Sequence, residues 1–435
     1  MIAAMPRAVL PIATLSVSLA ACSPNVPGDL GLRAQDQVKV GESPALLHVA
    51  AALEGGGDRT VADLLADEEP KFKAAPDPSD LFDAMYVEHK ALPPLAEGDN
   101  LRVLTFNVGL LDRWYPFVTV GVPEVDARRA RLAEMILSDG WDVLFLQEAW
   151  EHVDVQRFEA AAASRGYRVY GGSRQSHDQH GLVIIVREAI IDPVYREVID
   201  EVDFDQQYEP EDFPGPGVRR GYITWRFRHA TTGVDLRLVS THIVSYNDRW
   251  FARDFEVREL GLAVRGAPAE EVVIVGGDFN AAPYYPHDSF GMVDGEPVTG
   301  WWRNSMMYPL MLHYGGMVDV HALAQPATDV SLMAMVPPYD EAGWAREPYG
   351  DRSWCEGQVN TTFSWDWCNE LAFASGGETE YGARLDYLFL RDRQRQARVL
   401  ESSLVYTDAV DFGEAGELPR SDHYGFAATL RIGKR

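Results

Sequence analysis

Cysteine is scarce: the chain of 435 residues has 3, at Cys22, Cys355 and Cys368. None stands in an array of Cys and His at short spacing, which excludes a structural zinc module. Three thiols are also too few for a scaffold built on disulfides. Basic charge is scarce as well, since 39 Lys and Arg face 66 Asp and Glu, for a net charge of -27. Such a chain has no general attraction for polyphosphate backbones, so binding of nucleic acid without sequence preference is disfavoured, although a local basic patch is compatible with net acidity. No apolar run reaches the roughly 20 residues a spanning helix needs. A glycine-rich phosphate loop, internal repeats and long low-complexity tracts are all missing. The 46% hydrophobic content is that of a folded globular chain.

The first residues have the layout of an export signal. Arg7 is followed by an apolar run from Ala8 to Ala20 and then by Ala21 and Cys22, a short h-region with a small-residue cleavage site. Leu19-Ala20-Ala21-Cys22 looks like a bacterial lipobox, so residues 1–22 are expected to be a lipoprotein signal peptide and Cys22 an acylated membrane anchor. The protein is then an exported lipoprotein on the periplasmic face or cell surface. A plain cleaved signal with Cys22 incidental is the alternative. In an exported chain Cys355 and Cys368 read either as one disulfide or as a pair of buried free thiols. Residues 23–99, rich in Pro, Gly and acids, read as a tether with a partly ordered lead-in, helical at most near Pro44–Leu53 and Thr60–Ala66.

From 100 to 435 the texture is that of one α/β domain, with short β-branched runs alternating with amphipathic stretches. Strands are expected at Leu101–Phe106, Asp142–Leu146, Leu182–Val186, Leu236–Thr241, Val272–Val275 and Leu385–Leu390. Helices are expected at Glu124–Ser138 and, after His242, around Val257, Leu260 and Val264. Most of the strands run into polar residues at or just beyond their ends, where loops carry function on a rigid scaffold. The set is Asn107, Glu148, His242, Asp278 with Asn280, Asp386, and Asp422 with His423. Carboxylates and amides without cysteine suit a hard divalent cation, Mg²⁺ first, with Ca²⁺ or Mn²⁺ as alternatives. Taken singly, a strand-terminal Asn or Glu is as readily a turn or helix cap; six such elements in order are harder to dismiss.

That ordered set, above all Gly277-Asp278-Phe279-Asn280 and Ser421-Asp422-His423, resembles the endonuclease/exonuclease/phosphatase superfamily, which contains pancreatic deoxyribonuclease, abasic-site endonucleases, inositol polyphosphate phosphatases and neutral sphingomyelinases. The resemblance covers Leu101 to Ile432 and implies a two-sheet α/β sandwich flanked by helices, with the site at one edge. By the same likeness Glu148 is the principal metal ligand, with Asn107 and Asp422 completing the metal and phosphate site. Asp278 and Asn280 would hold the attacking water and a phosphate oxygen. His423, oriented by Asp386, would be the general base, and His242 would donate a hydrogen bond to the phosphate or protonate the leaving oxygen, although a histidine pKa near neutrality permits the reverse division.

Within the superfamily the chain looks most like the sphingomyelinase branch. Thr241-His242 is followed by Tyr246-Asn247 and Arg253-Asp254, and Asn360-Thr361-Thr362-Phe363 leads toward Arg384-Leu385-Asp386-Tyr387. Ala281-Ala282-Pro283 stands where the phosphatase branch carries an aromatic and an arginine. Val186 and the long interval from Asn280 to Asp386 depart from the common pattern. That interval holds Trp301, Trp302 and Arg303 and then the run Met306–Leu312, which reads either as an aromatic loop for a lipid interface or as a buried helix. Gln206–Gly217 reads as a solvated acidic loop, and His177 and His180 as loop histidines before a strand. The expected activity is phosphodiester hydrolysis, on a phosphosphingolipid first and on nucleic acid second. A non-catalytic binding protein would have no need of all six elements. Nothing in the sequence demands more than a monomer.

Overall fold

The computed structural model describes residues 78–95, 97–115, 118–171, 180–204, 219–245, 250–283, 290–293, 296–299, 307–326, 365–366, 369–374 and 382–434. The signal peptide, the tether to Asp77, Cys355, Cys368, His177, Tyr246, Asn247, Gln206–Gly217, Trp301–Met306 and Asn360–Phe363 lie outside them.

Twelve strands build two sheets. In chain order they are β1 (Asp99–Asn107), β2 (Val143–Gln147), β3 (Tyr167–Gly171), β4 (Val183–Arg187), β5 (Val198–Asp203), β6 (Gly221–Arg228), β7 (Asp235–His242), β8 (Val272–Asp278), β9 (Val318–Asp319), β10 (Asp386–Arg391), β11 (Ala397–Val405) and β12 (Gly425–Ile432). One sheet runs β11-β12-β1-β2-β4-β3 and the other β9-β10-β8-β7-β6-β5. Each has a parallel pair at its centre, β1 with β2 and β7 with β8, whose carboxyl ends point the same way within the pair.

The period of two along a strand decides what each face meets. Leu101 and Val103 of β1, Val143 and Phe145 of β2, and Leu236, Leu238, Val272 and Ile274 of the second sheet form the core between the sheets. Leu104, Phe106, Leu144 and Leu146 point the other way, into a second core with Leu132 and Ile136. Those two residues belong to helix α2 (Val125–Ser138), which covers the first sheet together with α3 (His152–Ala163). This is the expected two-sheet α/β sandwich flanked by helices. On the second sheet lies α4 (Trp250–Arg265), with Val257, Leu260 and Val264 buried as their helical spacing predicts.

One element was not expected from the sequence, and one decides between two expectations. The helix α1 (Pro78–Ala91) comes from the end of the presumed lead-in and starts on proline, which suits a first helical position. Its Phe82 is fully buried and stacks on Tyr308 at 5.4 Å. His89 Nε2 lies 3.2 Å from both Val399 N and Val399 O, beside an irregularity in the pairing of β11. The compact unit accordingly runs Pro76–Arg435. The run after Met306 forms α5 (Met307–Gly315), with Met307, Tyr308, Leu310, Met311 and Tyr314 buried. That part of the interval is core rather than a lipid-facing rim. Gly261 of α4 gives α5 room, since a Cβ there would lie 2.8 Å from Tyr314 Cβ. Among the described residues no helix is long and apolar enough to cross a membrane.

Phe82→Ala should lower the unfolding free energy by about 3–5 kcal/mol, the range for truncating a buried phenylalanine. Urea unfolding measures it, and an unchanged midpoint would mean that α1 is not part of the folded unit.

Candidate active site

The same period of two gathers the polar residues. Along β8 the inward positions are Val272, Ile274, Gly276 and, at the end, Asp278. In register Asp278 pairs with His242 at the end of β7 on one side and with Asp386 at the start of β10 on the other. Three chemically active side chains therefore stand in one row across three strands of the second sheet. In the first sheet Asn107 ends β1 on the inward phase of Leu101 and Val103, opposite that row. Gly276 lets the sheets come close here, for a Cβ on it would fall 2.3 Å from the Phe145 ring.

Asp278 Oδ2 is where these groups meet. Asn107 Nδ2 donates to it at 3.0 Å, from one sheet to the other. His242 Nε2 lies 3.6 Å away and His423 Nε2 3.7 Å away. His423 Nδ1 donates to Asp386 Oδ2 at 2.8 Å, which orients the ring and aims Nε2 at the shared oxygen. All five of these residues are buried.

Glu148 and Asp422 lie beside that row. Glu148 follows β2 in a left-handed conformation, φ 61°, which turns its side chain out of the strand alternation and brings Oε1 to 4.0 Å from His242 Nε2. Strain of this kind in a non-glycine residue is typical of functional sites. Asp422 Oδ1 accepts from Ser421 Oγ at 3.0 Å. Asn280 is also left-handed, at φ 49°, and its Nδ2 donates to Ile243 O at 2.9 Å, which ties its amide to the loop after β7.

Two residues important to this geometry are not among the expected set. Gly109 carries φ 55°, and a Cβ on it would lie 2.5 Å from Asp422 Oδ1. Its N–H donates to Asn107 Oδ1 at 3.0 Å, so the pattern Asn107-Val108-Gly109 is an Asx turn that the sequence does signal. Arg128, fully buried on α2, donates to Val108 O at 3.0 Å and Gly109 O at 2.5 Å. No local pattern marks it.

Electrostatics separates the two imidazoles. Burial alone would lower His423, but Asp386 and Asp278 outweigh it and hold the imidazole at about 10, charged at neutral pH. Burial, joined by the charges of Arg220 and His423, takes His242 well below its ordinary value and keeps it neutral. Burial, and then the neighbouring Asp386, raises the Asp278 carboxyl. Glu148 is raised by burial and by the charge of Asp422. Titratable groups pushed apart in this way mark acid and base partners.

Two places could take a divalent cation. Asp278, Asp386 and His423 offer atoms within 4.8 Å of one another, with His423 Nδ1 engaged by Asp386. Glu148 and Asp422 fit better: the charge of Asp422 helps raise the Glu148 carboxyl, a cost that a cation removes, and Asn107 adds a neutral oxygen of the type hard cations accept.

The model of the endonuclease/exonuclease/phosphatase family matches residues 104–423, a span that contains every one of these residues. The chain belongs to that family. No curated protein matches it in sequence. Among solved structures it is similar to D. rerio TDP2 complexed with single strand DNA product, at 17% identity and TM-score 0.50 over 76% of this chain and 98% of that one. A humanized D. rerio TDP2 with 14 mutations gives 17% and 0.49 over 76% and 98%. The family protein from Bacteroides vulgatus gives 17% and 0.45 over 77% and 99%. At such identity the likeness is one of fold. As a member of the endonuclease/exonuclease/phosphatase family the chain is a metal-dependent phosphodiester hydrolase.

Gly109→Ala should push Asp422 aside and weaken Mn²⁺ binding on the order of 10- to 100-fold, the usual loss when a ligand's support is disturbed. Calorimetric titration reads this directly; affinity equal to the unsubstituted protein would remove Asp422 from the metal site.

Proposed function

We propose that the chain is an Mg²⁺-dependent phosphodiesterase acting on phosphosphingolipids in the manner of a phospholipase C, releasing ceramide and a phosphorylated headgroup. The observation that carries the chemical part is the convergence of Asn107, His242 and His423 on the single oxygen Asp278 Oδ2. A water seated on that oxygen has a carboxylate beneath it to accept its proton and an imidazole on either side. Directed at phosphorus, it forms the new P–O bond in line with the P–O bond that breaks, and the leaving oxygen takes a proton from the site. His423, charged and oriented by Asp386, is the ready donor; His242, neutral and near Glu148, is placed to hydrogen-bond a phosphoryl oxygen. Glu148 and Asp422, with Asn107, would hold the divalent cation, whose charge polarises a phosphoryl oxygen and stabilises the charge of an in-line displacement.

The substrate class rests on charge and on the resemblance to sphingomyelinases. A net charge of -27 works against a polyanionic substrate and not against a zwitterionic headgroup in a bilayer. Acylation at Cys22 would keep the enzyme at a membrane surface. A second reading, an exported nuclease, is favoured by one observation: the D. rerio TDP2 structure of similar fold is a complex with single strand DNA product.

One experiment separates these readings. The full-length chain in detergent, with Mg²⁺, should release phosphorylcholine from sphingomyelin vesicles, lose this in chelator or as Glu148→Gln, and leave plasmid and single-stranded DNA intact. DNA cleavage without headgroup release would transfer the same site to nucleic acid. Cys22→Ser should leave the membrane fraction with turnover unchanged; its retention there would contradict the anchor.

A further inference from the structure

The two histidines are held by different means. His423 is oriented through its ring, by the carboxylate of Asp386. His242 has no such partner: its Nδ1 is buried without a hydrogen bond among the described residues. Its ring has Trp150 at 5.9 Å between centroids, which restricts tilt and leaves the position to the backbone. What fixes that backbone therefore fixes the imidazole.

The loop leaving β7 is held at every polar group from His242 O to Val244 O. Arg220 Nη1 donates to His242 O at 3.3 Å. Ile243 N donates to Asp278 O at 2.9 Å, and Ile243 O accepts from Asn280 Nδ2 at 2.9 Å. Val244 N donates to Glu256 Oε2 at 2.7 Å, and Val244 O accepts from Arg253 Nε at 3.3 Å. Two of these anchors come from the site's own Asp278 and Asn280. The others come from outside it: Arg220 lies just before β6, and Arg253 and Glu256 sit three residues apart on one face of α4. Arg253 and Glu256 are 0% and 1% exposed. Burying two ionisable groups is unfavourable unless they are well used, and both are spent on the N–H and the carbonyl of one residue, Val244. Burial pushes the Glu256 carboxyl up to about 7, with Arg220 and the Val244 amide opposing; protonated or not, its Oε2 can accept.

We propose that Glu256 and Arg253 are positioning residues for His242: by fixing Val244 from α4, and together with Arg220, they hold Nε2 at 3.6 Å from Asp278 Oδ2 and 4.0 Å from Glu148 Oε1. The activity consequence rests on the phosphodiesterase reading, whereas the geometric one does not. Neither residue touches substrate. The helix that packs on the second sheet thus also sets the reach of one catalytic imidazole.

The test is hydrolysis of bis(4-nitrophenyl) phosphate with Mg²⁺ by the full-length chain. Glu256→Ala should lower kcat on the order of 10- to 100-fold, the scale of a misplacement near 1 Å, with KM within about twofold. Glu256→Gln, which keeps an acceptor for Val244 N, should recover most of the loss. In a His242→Ala background Glu256→Ala should cost nothing further, because it acts through that imidazole. Wild-type kcat in Glu256→Ala, or a loss that multiplies with His242→Ala, would overturn the proposal. Should Glu256→Ala not fold, Arg253→Met carries the same expectations, including silence in the His242→Ala background. If the unsubstituted chain does not turn over the diester, the phosphodiesterase reading fails by itself, and the ¹⁵N–¹H resonances of the His242 ring decide: they should move in Glu256→Ala and not in Glu256→Gln. Unmoved resonances in both would sink it.

Discussion

Two hydrogen bonds join the two halves of the site, from Asn107 to Asp278 and from His423 to Asp386. The core between the sheets is apolar: Phe145 and Val143 from one side meet Ile274 and Leu238 from the other, and burial of such surface is non-directional. It sets the spacing of the sheets but tolerates some sliding of one over the other. The Asn107 amide donating to a buried carboxylate does not, because a bond to a charged group contributes about 1.5–3 kcal/mol only in good geometry. Asp278 is in register with His242 and Asp386, so fixing Asp278 fixes the row. Gly276 makes the approach possible by leaving room for the Phe145 ring.

A second constraint follows from burial. Several titratable groups share a small volume with few neutral partners, so each is displaced from its ordinary behaviour by its neighbours. The acids around His423 hold it charged, and burial beside Arg220 holds His242 neutral. The flanking helices do more than cover the sheets. Arg128 reaches from α2 to the turn at Gly109, and Arg253 and Glu256 reach from α4 to the turn at Val244. Loops that carry the chemistry are thereby tied to rigid elements on both sides of the sandwich.

The central strands were legible because β1, β2, β4, β7, β8 and β10 are nearly continuous apolar runs, and a polar residue at the end of such a run stands out. Partly exposed strands were not. β5 has no buried residue in Val198–Asp203, and β11 is half exposed. In β6 Ile223, Trp225 and Phe227 take the inward phase, and Arg226 and Arg228 the opposite one. Their partners, Glu271 and Asp235, are visible only once β7 and β8 are in place. The expected site residues lie at one edge of the sandwich, yet the roles of Gly109, Arg128 and Glu256 depend on neighbours distant in sequence. The bond from the Asn280 amide to Ile243 O likewise depends on a left-handed backbone that no local pattern announces.

The site divides into a cation position at Glu148 and Asp422 and a proton-handling trio of Asp278, Asp386 and His423. Anomalous diffraction from crystals soaked in Mn²⁺ tests that division most directly. The predicted result is a single peak bound by Glu148 and Asp422, with His423 Nδ1 still bonded to Asp386. A peak ligated by His423 together with Asp278 and Asp386 would contradict it.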